Sequence, residues 1–144
     1  MHTMRAPEHR SADLTDRQYQ SLSKFRHALR VFLRFSELSA RRVGLTPAQH
    51  QLLLAVRGWP EPSPPSVGDL AVLLQTRPHS TLELIRRVEK AGLLRIHAAD
   101  DDRRRQLVTL SRSGQRKLAE LSVTHRDELR RFRKEMNQIL DELE

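Results

Sequence analysis

The chain has 144 residues, the size of one domain with a modest core, and a formal net charge of +8. It has no cysteine, which excludes disulfides, thiolate zinc sites and cysteine redox switches, and its 4% aromatic content argues against stacking platforms for single-stranded nucleic acid. A basic balance of this size favours an anionic partner, nucleic acid or a membrane surface, yet no apolar run approaches the roughly 18 residues that a membrane helix needs.

Met1–Leu14 reads as a flexible arm whose first ten residues are polar and basic, without the apolar stretch of a signal peptide; a cytoplasmic location is the expectation. Thr15-x-x-Gln18 is a capping-box pattern and opens a first helix. Tyr19, Leu22, Phe25, Leu29, Phe32 and Leu33 follow at steps of three and four, and Gly44 stops the helix near Arg42. Thr46-Pro47 opens a second helix, with Thr46 as N-cap and Pro47 at the position where a missing N–H costs nothing. Its buried side is read as Leu52, Leu53, Val56 and Trp59, and Gly58 with Pro60, Pro62, Pro64 and Pro65 ends it in a stiff connector.

Ser66 caps a short third helix with Leu70, Leu73 and Leu74 facing inward. Gln75-Thr76-Arg77 is a tight link to a fourth helix that starts at Pro78, capped by Thr76 or Arg77, with Thr81, Leu84, Ile85 and Val88 on its apolar side. Gly92 suits the left-handed residue after that helix. Two strands are expected at Leu93–His97 and Gln106–Leu110, joined by the tip Asp100-Asp101-Asp102-Arg103-Arg104-Arg105. Ser111 to Gly114 then caps a long tail in which Leu118, Leu121, His125, Leu129, Phe132, Met136, Ile139 and Leu140 continue a helical stripe, as one helix or two. A helix of that length has no core of its own to cover its stripe, so a homodimer is inferred, with the first helix and the tail intertwined.

Two small helices with a basic hairpin behind them make a compact unit for reading duplex DNA: one helix for the major groove, one arginine-tipped wing for the backbone or minor groove. The charge agrees, because Arg77 to Lys117 holds eleven Lys or Arg against five Asp or Glu, a net +6. The fourth helix is the candidate recognition helix. It begins with Arg77, His79 and Ser80, and its exposed face continues with Glu83, Arg86 and Arg87. Glu83 can accept from a cytosine amino group or pair with Arg86 or Arg87, and the ion pair is the favoured reading. Arg103, Arg104 and Arg105 suit a narrow, electronegative minor groove, with a neighbouring Asp holding an arginine side chain extended. The plain alternatives are an amphipathic core helix with a solvated face and a polar hairpin turn.

Seven histidines invite a metal site, but none is paired at i, i+4, and no metal or cofactor is expected. No phosphate loop, nucleophile elbow or His-Glu-x-x-His occurs, so nothing points to an enzyme. The competing class is a non-catalytic module whose basic face meets an acidic protein.

The run Leu45-Thr46-Pro47-Ala48-Gln49, the helix end Val88-Glu89-Lys90-Ala91-Gly92-Leu93-Leu94 and the wing Asp102-Arg103-Arg104-Arg105-Gln106-Leu107-Val108-Thr109-Leu110-Ser111-x-x-Gly114 resemble the MarR family of bacterial regulators over roughly Thr15 to the C-terminus. The resemblance implies a mainly α fold with a small β-hairpin wing (α+β), a winged helix-turn-helix. Residues 15–144 would form one domain: dimerisation helices at 15–43 and 112–144, and a DNA-binding lobe at 46–111. It implies a homodimer on pseudo-palindromic duplex DNA, often a repressor, released by a small lipophilic or phenolic effector. Arg103 or Arg104 takes the place of the family's minor-groove arginine, and base contacts fall on His79, Ser80, Leu82 and Glu83. Arg86-Arg87 stands where the family often has Asp-Arg, which leaves Asp102 alone to orient the wing. The family's effector pocket would fall near Phe25, Leu29, His50, Leu53 and Trp59, each of which also reads as plain core.

Overall fold

The computed structural model of the protein describes residues 13–144. The arm expected at Met1–Leu14 lies, up to Ala12, outside the described residues. Five helices and one hairpin follow in the order α1 (Asp16–Arg42), α2 (Pro47–Arg57), α3 (Val67–Leu74), α4 (Pro78–Lys90), β1 (Leu94–Ala98), β2 (Gln106–Leu110) and α5 (Arg112–Leu143). The fold is mainly α with a small β-hairpin wing, as the sequence implies, and the tail left open there is one continuous helix.

Local chemistry sets the helix starts. Thr15, Thr46 and Ser66 each form a complete capping box, with Gln18, Gln49 and Asp69 reaching back to the cap backbone, and Ser111 caps α5 by accepting from the Gly114 N–H. α3 ends on Gln75 in the left-handed conformation, φ 55° and ψ 44°. That residue makes the tight turn between α3 and α4 without a glycine. Behind the turn, the Thr81 hydroxyl donates to the Arg77 carbonyl (2.9 Å). Its one proton is thereby used, so Thr76 donates to Thr81 across 2.6 Å.

β1 and β2 pair antiparallel, with Leu94 opposite Leu110 and Ala98 opposite Gln106. β1 starts one residue later than expected. The Leu93 N–H is taken by the Val88 carbonyl, which closes α4, and the Leu93 carbonyl accepts from the Ser111 N–H, so Leu93 belongs to the junction and not to the ladder. The proline connector does more than space two helices. Ser66 bridges Leu107, and the carbonyl of buried Pro65 accepts from the Val108 N–H at 2.9 Å, giving β2 a neighbour on its other edge.

One apolar core joins Leu45, Leu52, Leu53, Val56, Leu70, Ile85, Val88, Leu94 and Val108 of the lobe to Ala40 of α1 and to Leu118 and Leu121 of α5. Leu73, expected inside, is half exposed; Leu70, Ala71 and Leu74 form the inner side of the short α3 instead. α1 runs antiparallel along α5, with the ring of Phe32 tilted against that of Phe132 at 5.1 Å and Ser21 donating to Glu142 at 3.2 Å. This pairing covers only part of each stripe. Tyr19, Leu22 and Leu33 on α1 and Val123, Leu129 and Leu140 on α5 stay exposed.

Candidate nucleic-acid interface

α4 carries the residues expected at a major groove. Arg77, His79, Ser80, Glu83, Arg86 and Arg87 are all exposed, while Thr81, Ile85 and Val88 turn inward. One face therefore anchors the helix and the other is free to meet a ligand. Glu83 pairs with His79 (Nε2 to Oε1, 3.2 Å), and not with Arg86 or Arg87 as expected. The reason is geometric: side chains on a helix lean toward its N-terminus, so Glu83 reaches back one turn. No ion pair engages Arg86 or Arg87 among the described residues. Leu82, another position implied by the resemblance, is half-buried.

The start of α4 differs from the other four helix starts. Arg77 is its N-cap and makes no side-chain hydrogen bond, and Pro78 fills the first turn. Thr15, Thr46, Ser66 and Ser111 each bind their helix's free N–H groups; at α4 those groups are left open. Thr76, the other candidate cap, spends its hydroxyl on Thr81.

At the wing tip, Arg103 and Arg104 are exposed. Asp102 shapes the tip through the backbone: its Oδ1 accepts from the Arg104 N–H at 3.0 Å and its carbonyl accepts from the Arg105 N–H at 3.0 Å. This differs from the expected grip on an arginine side chain, and it fits the tendency of Asp to close turns on its own backbone. Arg105 is exposed as well, but its side chain reaches toward α3. Its Nη2 lies 3.6 Å from Oδ2 of Asp69, the carboxylate that also accepts from the Ser66 N–H at 2.9 Å. The Ser66 N–H, more than any other influence, holds the Asp69 carboxyl below the usual carboxylate range, and the Arg105 charge acts in the same direction. Sequence reasoning missed Asp69. Its spacing to Ser66 marks it as a cap partner, but nothing local marks a partner 36 positions away.

The five residues expected around an effector lie in different surroundings. Leu53 is fully buried in the core. Phe25 and Leu29 are half-buried on α1. Trp59 lines a cavity of about 230 Å³ with Val56, Pro62, Pro65, Leu110 and Gln115. His50 is buried, and its ring packs at a tilt against that of His125 of α5. A larger cavity, about 600 Å³, lies between α1 and α5 and is lined by Lys24, His27, Ala28, Glu135, Ile139 and Glu142 among others, with none of the five on its wall. No cluster of three or more metal-ligating side chains occurs among the described residues, and no described helix is long and apolar enough to cross a membrane.

Helix, turn, recognition helix and a two-stranded wing define a winged helix-turn-helix protein. Residues 43–105 match the model of the MarR family. No curated protein matches the chain. Among solved structures, AbsC, a MarR family transcriptional regulator from Streptomyces coelicolor, is similar with a TM-score of 0.69 and 22% identity over 83% of this chain and 80% of that one. A MepR–DNA complex from S. aureus gives 0.67 and 18%, covering 85% of each chain, and a probable transcriptional regulator from Pseudomonas aeruginosa gives 0.56 and 29%, covering 74% and 77%. The lobe thus matches the MarR family model over residues 43–105, and the fold as a whole is that of the solved winged-helix structures of that family.

Proposed function

We propose that the protein is a ligand-responsive repressor that binds pseudo-palindromic duplex DNA as a homodimer. The observation that carries the reading is the open start of α4. It is the one described helix whose first N–H groups have no side-chain cap, and it stands in the fold's recognition position with Arg77, His79 and Ser80 exposed around it. Free N–H groups at a helix N-terminus favour a phosphate oxygen, and short polar side chains there can approach base edges. Glu83, Arg86 and Arg87 continue that face, and the tip supplies Arg103 and Arg104 for the adjacent groove, with Arg105 at its base. The DNA-bound relative from S. aureus favours the same reading.

Dimerisation is supported by the apolar side chains left uncovered on α1 and α5. A second copy would bury them and set two recognition helices about 34–36 Å apart, in successive major grooves. An effector that favoured a dimer of different spacing would release DNA, by as much as its affinities for the two states differ. His50, at the meeting of lobe and long helices, is the residue of the proposed pocket placed to couple the two; Phe25, Leu29, Leu53 and Trp59 are its other candidate members. This reading also places the protein in the cytoplasm, with no catalytic role.

The test is selection from a random duplex library with the full chain. Enriched duplexes carrying two inverted half-sites about 10 base pairs apart are the expected result. A library that stays random through repeated rounds would overturn the reading and favour a protein partner for the basic face.

A further inference from the structure

The wing tip is tied to the body of the lobe at one place. β2 is held from below by the Ser66–Leu107 bridge and by the Pro65 carbonyl on Val108. Beyond Gln106 the chain leaves the ladder, and residues 99–105 fold on themselves. Arg105 closes that loop at both ends: its carbonyl accepts from the Ala99 N–H at 2.9 Å, and its N–H donates to the Asp102 carbonyl. Among the described residues, the Arg105–Asp69 pair is the only ion pair or hydrogen bond that joins the tip to another element.

We propose that Asp69 is a positioning residue for the wing: by holding Arg105 against α3, it sets where the tip stands relative to the recognition helix. The geometry favours this over a phosphate contact by Arg105. Asp69 is itself immobilised, because the oxygen that faces Arg105 also accepts from Ser66, and its own N–H donates to the Ser66 hydroxyl at 3.0 Å. Its side chain is one-third exposed and that of Arg105 about half, so the pair is partly shielded from water. Arg105 is thereby paired with a carboxylate, whereas Arg103 and Arg104 have no ion pair among the described residues. α3 leads directly into the turn before α4, so one carboxylate fixes both the first helix of the reading unit and its wing.

The consequence for DNA rests on the function proposed above; the positioning itself does not, and the two are tested separately. Asp69→Asn keeps an acceptor for the Ser66 N–H and removes the charge. In hydrogen exchange of the DNA-free chain, this variant is expected to quicken exchange at 99–105 about fivefold while 67–74 stays as in the wild type, the scale of one partly exposed charged pair. On duplexes recovered by the wild-type chain, Asp69→Asn, Arg105→Gln and the double variant should all bind about fivefold more weakly than wild type, with the salt slope unchanged. Wild-type exchange at the tip of Asp69→Asn would overturn the proposal. So would a slope lowered by about one in Arg105→Gln while Asp69→Asn binds as wild type, since Arg105 would then be a phosphate contact. If the wild-type chain recovers no duplex, the DNA-binding function fails, and the exchange result alone decides the role of Asp69.

Discussion

The ring of His50 in α2 packs at a tilt against the ring of His125 in α5, with centroids 4.8 Å apart and planes at 54°. His125 has a fixed tautomer: its Nδ1 faces the Leu121 carbonyl at 2.8 Å and must carry the hydrogen, so Nε2 of the neutral ring accepts from the Ser36 hydroxyl at 2.9 Å. The edge of Phe35 closes the site from α1. Burial, and secondarily the charge that His125 can carry, push the His50 imidazole below its usual pKa.

The sign of the pH dependence follows. With its folded pKa depressed, His50 binds fewer protons in the folded chain than in the unfolded one. Its stabilising contribution is therefore full above about pH 6.5 and is lost as pH falls through the lower folded value. Urea midpoints measured from pH 7.5 to 5 should fall, and the fall should be shallower in His50→Gln. Parallel pH curves for the two proteins would assign the acid sensitivity to other groups.

Gly114 should resist any side chain. A Cβ there would overlap the Leu93 carbonyl oxygen, the acceptor for the Ser111 N–H where α5 leaves the wing. Because a backbone atom is in the way, repacking offers no escape, and Gly114→Ala is expected to destabilise the chain by about 3 kcal/mol. Denaturant unfolding measures it directly; a change under about 1 kcal/mol would mean that the start of α5 can shift.

The helix starts of α1, α2, α3 and α5 were legible because Thr15, Thr46, Ser66 and Ser111 act within one turn of their own positions. β2 was legible for a similar reason, lying between an Arg-rich tip and a capping serine. The relationships that organise the site were not. Asp69 meets Arg105, His50 meets His125, and Pro65 meets Val108 only because the chain returns on itself, and no local pattern encodes such encounters. Arg105 shows the cost of this: three arginines in a row look equivalent, but the third is paired with a residue on another helix. The exposure of Leu73 has the same origin, since an eight-residue helix wedged between two others can bury only its narrowest side.

Gln75 offers a test of the turn. Its φ of 55° lies where a side chain is strained and glycine is not. Gln75→Gly is expected to raise stability by up to about 1 kcal/mol, and Gln75→Val to lower it by about 1–2 kcal/mol. Thermal melts of the two variants give the comparison, and equal loss in both would show that the Gln75 side chain contributes contacts beyond its backbone.

The exposed tip arginines should act on DNA and not on the fold. Arg104→Ala is expected to weaken binding to a selected duplex by about 1–3 kcal/mol while leaving the melting temperature in place. Unchanged affinity and salt slope would remove Arg104 from the interface and leave the role to Arg103.

The most direct test of the whole account is a titration of the purified chain against the duplex upstream of its own gene and against the best duplex from the random library, over a salt series and with a scrambled competitor. The account predicts nanomolar binding to at least one of them that resists the competitor and weakens steeply with salt, as expected when several phosphates and base edges are contacted together. Weak binding to both duplexes that the scrambled competitor abolishes would contradict it.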